Sequence, residues 1–146
     1  NMGSGYIQSQ MEKLNSSNKE QIVEETKKEV MNMLKKTIRP EFLNRIDETI
    51  MFLPLTENEI RQIVLLQIKS VQKMLAENGV ELEMTDAALN FLSQVGYDPE
   101  FGARPVKRAI QRYLLNDLSK KLLAQEVDRS KAIIVDAGGD GLVFRN

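Results

Sequence analysis

The strongest limit on the fold comes from residues 96–125, where a turn passes directly into a long amphipathic stretch. The turn is rich in Gly, Pro and Asp, and it ends at the tetrapeptide Gly102-Ala103-Arg104-Pro105. Proline is tolerated in the first turn of a helix, because its missing N–H has no helical partner there. The pattern therefore predicts a helix after Pro105, with Arg104 beside the free backbone N–H groups at its start. A cation beside such donors indicates a site for phosphate or another anion.

Apolar periodicity and capping residues predict the other elements. In chain order these are a helix over 19–37, a buried strand over Thr49–Leu53, a helix from Thr56 to Asn78, a strand over 80–84, a helix from Thr85 to Gly96, a helix from Pro105 to about Gln125, and a hairpin over 132–144. Residues 55–146 are thus predicted to form an α+β domain, with helices packed on a small, mainly antiparallel sheet. Residues 1–54 are predicted to be a helix–strand remnant of a larger α/β domain, because one helix and one strand make a poor core.

Composition removes several function classes. The chain has neither Cys nor His, which excludes disulfides, thiolate catalysis and every His-dependent triad, and we expect no metal site. Its 20 basic and 21 acidic residues balance to a net charge of −1, so neither nucleic acid nor membrane is an expected partner. The absence of Cys fits a reducing compartment, and a cytoplasmic location is expected. The first residue is Asn rather than Met, so we expect a fragment or a processed chain.

Two strings occur in order along the chain, RPEFLNRIDE at residues 39–48 and GARPVKRAIQ at residues 102–111. Together they closely resemble the second ATPase module of the Clp-type AAA+ unfoldases, and the resemblance covers nearly the whole chain. It implies that residues 1–54 are the C-terminal remnant of the AAA+ large subdomain and that residues 55–146 are the small lid domain.

The resemblance also implies roles for single residues. Arg45 matches the arginine finger, which acts catalytically in trans on the nucleotide of a neighbouring subunit. Arg104 matches the sensor-2 arginine, which contacts the γ-phosphate of its own subunit's nucleotide. Ile63 and Ala103 match residues that line the adenine pocket, and Asn1 matches the sensor-1 position. ATP, with Mg²⁺ in the full-length protein, is the implied cofactor.

Simpler interpretations of the same residues stay open at this point. Arg45 can pair with Asp47 or Glu48, Arg104 can cap or salt-bridge its own helix, and Ile63 can be an ordinary core residue. The chain contains neither a phosphate-binding loop nor an acidic magnesium-binding pair of the Walker type. We therefore expect it neither to hydrolyse ATP nor to bind it tightly by itself.

For the full-length protein the resemblance implies a homohexameric chaperone of the stress response. It would unfold and disaggregate polypeptide with energy from ATP and cooperate with a Hsp70-type system. Residues 6–38 contain no Gly and hence no hydrophobic–Gly–hydrophobic peptidase-docking loop, which favours the ClpB-like disaggregase branch over ClpA- or ClpC-like relatives. Two alternatives remain: a non-catalytic oligomerisation or interaction module, and a regulatory unfoldase subunit of a Clp protease.

Overall fold

The structure is a computed structural model that describes residues 2–146. The chain divides into two compact units, Asn1–Pro54 and Leu55–Asn146. The first unit contains the helices α1 (Ser4–Met11), α2 (Lys19–Thr37) and α3 (Pro40–Leu43), and α2 confirms the helix predicted for residues 19–37. Contacts between α1 and α2 bury Ile7 and Thr26, and the Thr26 hydroxyl donates a hydrogen bond of 2.6 Å to the Ile22 carbonyl.

The prediction of a buried strand over Thr49–Leu53 is wrong. This segment is neither helix nor strand, and the side chains of Ile50 and Phe52 are 67% and 84% exposed. A strand is held by hydrogen bonds to a neighbouring strand, and the described part of the first unit contains no other strand. Part of the segment instead lines an apolar cavity of about 250 Å³ against α1 and α2.

The second unit carries most of the regular structure. Its elements are α4 (Glu57–Glu77), β1 (Leu82–Met84), α5 (Asp86–Val95), α6 (Val106–Ala109), a π-helical turn (Ile110–Leu115), α7 (Asn116–Leu123), β2 (Ile133–Gly138) and β3 (Gly141–Arg145). The start of α4 confirms the predicted capping box. The Thr56 hydroxyl accepts from the Glu59 N–H at 3.3 Å, and the Glu59 carboxylate accepts from the Thr56 N–H at 2.7 Å.

The sheet of the second unit has the strand order β1-β2-β3. β2 and β3 form the predicted antiparallel hairpin, whereas β1 runs parallel to β2 with Leu82 opposite Ile133. The α+β class is confirmed, but the sheet is mixed rather than mainly antiparallel. The physical reason is the connection, because parallel strands need a long crossover and α5 to α7 provide one between β1 and β2.

One hydrophobic cluster forms the core of the second unit, between the sheet and the helices. Its buried members are Val64, Ile68, Val80, Leu82, Ala88, Leu89, Leu92, Val106, Ala109, Ile110, Leu114, Leu118, Val127, Ile133, Val135 and Leu142. Every helix and strand of this unit contributes to it or packs against it, so the turn that precedes α6 rests on a continuous core.

The helical stretch from Val106 to Leu123 contains the π turn, which the sequence did not predict. The Asn116 N–H donates to the Gln111 carbonyl, and the Gln111 amide donates to the Asn116 side chain at 2.9 Å. Apolar residues spaced exactly four apart drift around an α-helix of 3.6 residues per turn. The wider π turn offsets this drift, so Val106 and Leu118 remain in the same core.

Candidate functional site

The turn that leads to Arg104 is fixed by hydrogen bonds around Asp98. The Asp98 carboxylate accepts from the N–H groups of Glu100 and Phe101 at 2.8 and 2.9 Å. Asp98 and Gly102 also exchange backbone hydrogen bonds, of 2.7 and 3.0 Å. Gly102 has a φ of +62°, which glycine adopts without the steric cost that other residues pay. The backbone before Arg104 is therefore held in one conformation.

Gly96, at the start of this turn, allows the turn to pack closely against the following helix, α6. A Cβ atom at Gly96 would lie 2.9 Å from the Val106 Cγ2 atom and 2.7 Å from the Leu92 carbonyl oxygen. Only glycine allows such an approach without displacing the neighbours. The end of α5 and the start of α6 therefore pack directly against each other, and they fix both ends of the 97–105 segment.

Arg104 lies at the end of this fixed turn and is exposed. Its N–H donates to the Phe101 carbonyl at 3.2 Å, and its guanidinium carbon lies 5.9 Å from the centroid of the Phe101 ring. Among residues 2–146, none forms an ion pair with Arg104. The salt-bridge interpretation is therefore not supported, and the guanidinium N–H groups face solvent, where they can donate to an anion.

Ile63 and Ala103 are the two residues that were predicted to line an adenine pocket. Ile63 is on α4 and Ala103 directly precedes Arg104, and both are half-buried against the hydrophobic cluster. Each thus combines a packing contact with a partly exposed surface. Their contact with adenine stays a prediction.

Arg45 follows the short helix α3, which begins at Pro40. Its N–H donates to the Phe42 carbonyl at 3.1 Å, and its side chain is exposed. Within the described part of the chain, Arg45 forms no ion pair with Asp47, Glu48 or any other acid. Arg45 and Arg104 belong to different units, and the predicted sensor-1 position, Asn1, lies outside the described residues.

Asp98 and Phe101 belong to the site, yet the sequence reasoning missed both. In an Asx turn, an Asp side chain accepts hydrogen bonds from backbone N–H groups two and three residues later. The string Asp98-Pro99-Glu100-Phe101 is compatible with such a turn. The ring–cation contact has a weaker signal, an aromatic residue three positions before an arginine.

Two other kinds of site are not found in the described part of the chain. Over residues 2–146 there is no group of three or more acids that could hold a metal ion. Within the same residues no helix has both the length and the apolar character needed to cross a membrane. The candidate functional residues are therefore one exposed guanidinium group in each unit and, in the unit of Arg104, the half-buried Ile63 and Ala103.

The second unit is a small α+β domain that presents one exposed arginine on a rigid turn. The chain belongs to the ClpB chaperone family, because residues 55–135 match the family model described as the C-terminal, D2-small domain, of ClpB protein.

Individual relatives agree with this assignment. The chain is 92% identical over 146 residues to the chaperone protein ClpB of Bacteroides thetaiotaomicron and 51% identical over 146 residues to that of Porphyromonas gingivalis. Both matches cover 100% of this chain and 17% of the relative. The ClpB of Meiothermus ruber is 48% identical over 124 residues, which are 85% of this chain and 14% of that protein. The chain thus spans only a small part of the length of the relatives it matches.

Proposed function

We propose that this chain is the nucleotide-responsive part of an ATP-dependent chaperone that unfolds and disaggregates polypeptides in the cytoplasm. The full-length protein works as a homohexameric ring with a Hsp70-type chaperone system, and it provides the ATP- and Mg²⁺-binding loops that this sequence lacks. Membership of the ClpB family supports the proposal. The observation that carries it is the exposed Arg104 guanidinium on a turn whose backbone is fixed by Asp98 and Gly102.

Arg104 acts as the sensor-2 arginine on the nucleotide of its own subunit. A guanidinium fork donates two parallel hydrogen bonds to a phosphate group, and such charge-assisted contacts are stronger than neutral ones. Because the backbone of residues 98–102 is fixed, little conformational freedom is lost when the phosphate binds. Ile63 and Ala103, which are half-buried beside the core, offer apolar contact to the adenine ring.

Arg45 acts as the arginine finger toward the nucleotide of the neighbouring subunit. Its side chain is exposed, and no acid in the described chain forms an ion pair with it, so no ion pair must break before it reaches a phosphate. A cation at the γ-phosphoryl group stabilises the charge of the transition state. In other nucleotide hydrolases this effect is worth about 10³–10⁵ in rate.

The disaggregase branch is favoured over a peptidase-docking subunit by the connection between α1 and α2. This connection is a compact polar turn in which the side-chain oxygen Oδ1 of Asn15 accepts from the N–H groups of Ser17 and Asn18, both at 3.0 Å. It presents no exposed hydrophobic–Gly–hydrophobic loop. Retention of the full-length protein by a cognate peptidase ring would overturn this choice.

The sensor-2 role is tested by Arg104→Ala in the full-length protein. Loss of a charge-assisted contact worth about 1.5–3 kcal/mol weakens ATP affinity by about 10- to 150-fold. Titration of a fluorescent ATP analogue measures this effect. Arg108→Ala, which removes an exposed cation on α6 four residues further along the chain, is the matched control and should leave affinity within about twofold. Equal losses in the two variants would contradict the assignment.

A second candidate function is a non-catalytic oligomerisation module. It is favoured by the exposed apolar side chains of the first unit, Phe42, Ile50 and Phe52. Such side chains suit an interface between proteins. ATPase activity in the full-length protein that survives both Arg45→Ala and Arg104→Ala would favour this second candidate.

A further inference from the structure

Phe101 is a large aromatic residue with no place in the core. It is 52% exposed and is not one of the buried residues of the hydrophobic cluster. It is nevertheless held firmly, because its N–H donates to the Asp98 carboxylate at 2.9 Å and its carbonyl accepts from the Arg104 N–H at 3.2 Å. An exposed ring on a rigid backbone calls for a reason other than packing.

The contact that the ring makes is with Arg104. The guanidinium carbon lies over the Phe101 ring at 5.9 Å from its centroid, within the range of a cation–π interaction. The five N–H donors of an arginine lie in the plane of its guanidinium group. A ring has no oxygen or nitrogen acceptor for these donors and therefore leaves them available, whereas a carboxylate partner would occupy them and neutralise the charge.

The other cation–π pair of the described chain differs in an instructive way. Arg112 lies 5.3 Å from the Tyr113 ring, but Tyr113 is half-buried and packs edge to face on Phe91 at 5.2 Å. Tyr113 thus has a packing role that explains its presence. Phe101, by contrast, forms no ring–ring pair within residues 2–146, and its ring lies within cation–π range of the Arg104 guanidinium.

We propose that Phe101 is a positioning residue that holds the Arg104 guanidinium in a phosphate-ready orientation. The proposal rests on the sensor-2 role of Arg104. Asp98 fixes the backbone of Phe101, the Phe101 ring restricts the rotamers of Arg104, and the restricted side chain loses less freedom when it binds phosphate. Phe101 itself does not touch the nucleotide.

The test is a double-mutant cycle on ATP affinity in the full-length protein, with Phe101→Leu and Arg104→Ala. Phe101→Leu alone should weaken binding of a fluorescent ATP analogue by about two- to fivefold, the range for an exposed cation–π contact. The same substitution in the Arg104→Ala background should have no further effect, because the residue that Phe101 positions is gone. Phe101→Tyr keeps a ring and should restore the affinity.

Two controls separate positioning from general damage. The thermal midpoint of Phe101→Leu should match the parent protein, since the side chain is half-exposed, and Leu123→Ala, at a side chain 86% exposed, should leave ATP affinity unchanged. Equal weakening by Phe101→Leu in both backgrounds, or none in either, overturns the positioning role. If Arg104→Ala weakens affinity while Phe101→Leu does not, only the positioning role fails. If Arg104→Ala itself has no effect, the sensor-2 role fails with it.

Discussion

The two units of this chain have similar helices but very different interiors. The second unit buries a continuous cluster of apolar side chains beneath a three-stranded sheet, whereas in the described part of the first unit only Ile7 and Thr26 are buried. The first unit leaves Ile50 and Phe52 exposed in a segment that forms no strand. The difference shows that α1, α2 and α3 do not enclose a core among themselves, because the apolar side of an element must be covered by another layer.

The same contrast applies to the two arginines. Arg104 lies on a turn fixed by side-chain and backbone hydrogen bonds, and its guanidinium carbon lies 5.9 Å from the centroid of the Phe101 ring. Arg45 follows a four-residue helix in the unit with little buried surface. A rigid support suits a residue that senses its own subunit's nucleotide. A loosely supported one is suited to an interface, where a partner completes the environment.

The largest expected effect comes from separating the units. Residues 55–146 expressed alone should unfold in one cooperative transition by circular dichroism, because their core is self-contained. Residues 1–54 alone should show no such transition, because too few side chains are buried to offset the loss of chain entropy. A cooperative transition of residues 1–54, or none for residues 55–146, would break the comparison.

A single-residue version of the comparison uses one truncation in each unit. Leu114 is fully buried, so Leu114→Ala should lower the free energy of unfolding by about 2–5 kcal/mol. Phe52 is 84% exposed, so Phe52→Ala should change it by at most about 0.5 kcal/mol. Urea titrations of the whole chain measure both. A large loss with Phe52→Ala would mean that residues 49–53 are packed in solution.

The smallest expected effect is a change in how the stability of the second unit depends on acidic pH, and it comes from Asp136. The Thr85 hydroxyl, the Ala137 N–H and the nearby Arg145 lower the pKa of Asp136 from its usual 3.8, with the Thr85 hydrogen bond of 2.7 Å as the largest cause. Because the folded-state pKa is the lower one, this stabilisation is present above pH 3.8 and is lost as the pH falls through the folded-state pKa.

The substitution Asp136→Asn keeps an acceptor oxygen but removes the titration. The free energy of unfolding should therefore fall less steeply with acid than in the parent chain, in denaturant titrations from about pH 5 to about pH 2. Asp140→Asn, at an exposed residue of the same hairpin, is the control and should keep the parent slope. A parent-like slope for Asp136→Asn would show that Asp136 does not link α5 to the sheet energetically.

The sequence predicted best where a short pattern determines the structure. The capping box of Thr56 and Glu59, the helix over 19–37 and the hairpin of β2 and β3 each depend on neighbouring residues, and each is confirmed. The strand over 49–53 failed because a strand depends on a partner that local sequence does not reveal. The parallel pairing of β1 was missed for the same reason, since its partner is about fifty residues further along.

The candidate site divides in the same way. The sequence located Arg104 at the end of a turn, but the Asp98 hydrogen bonds and the Phe101 ring over the guanidinium required coordinates. The interpretation of Arg45 as a partner of Asp47 or Glu48 was equally reasonable from sequence and finds no such ion pair in the described residues. The roles of both arginines toward ATP stay predictions.

The most direct test of the account asks whether the two arginines serve different subunits. In the full-length protein, Arg45→Ala should lower the rate of ATP hydrolysis by about 10³-fold or more. ATP binding should remain, since the finger acts on the transition state. Lys36→Ala, which removes an exposed cation in the last turn of α2 in the same unit, should leave the activity intact. Mixing Arg45→Ala subunits with subunits whose phosphate-binding loop is inactivated should restore part of the ATPase activity. No restoration in rings shown to contain both subunits would contradict the account.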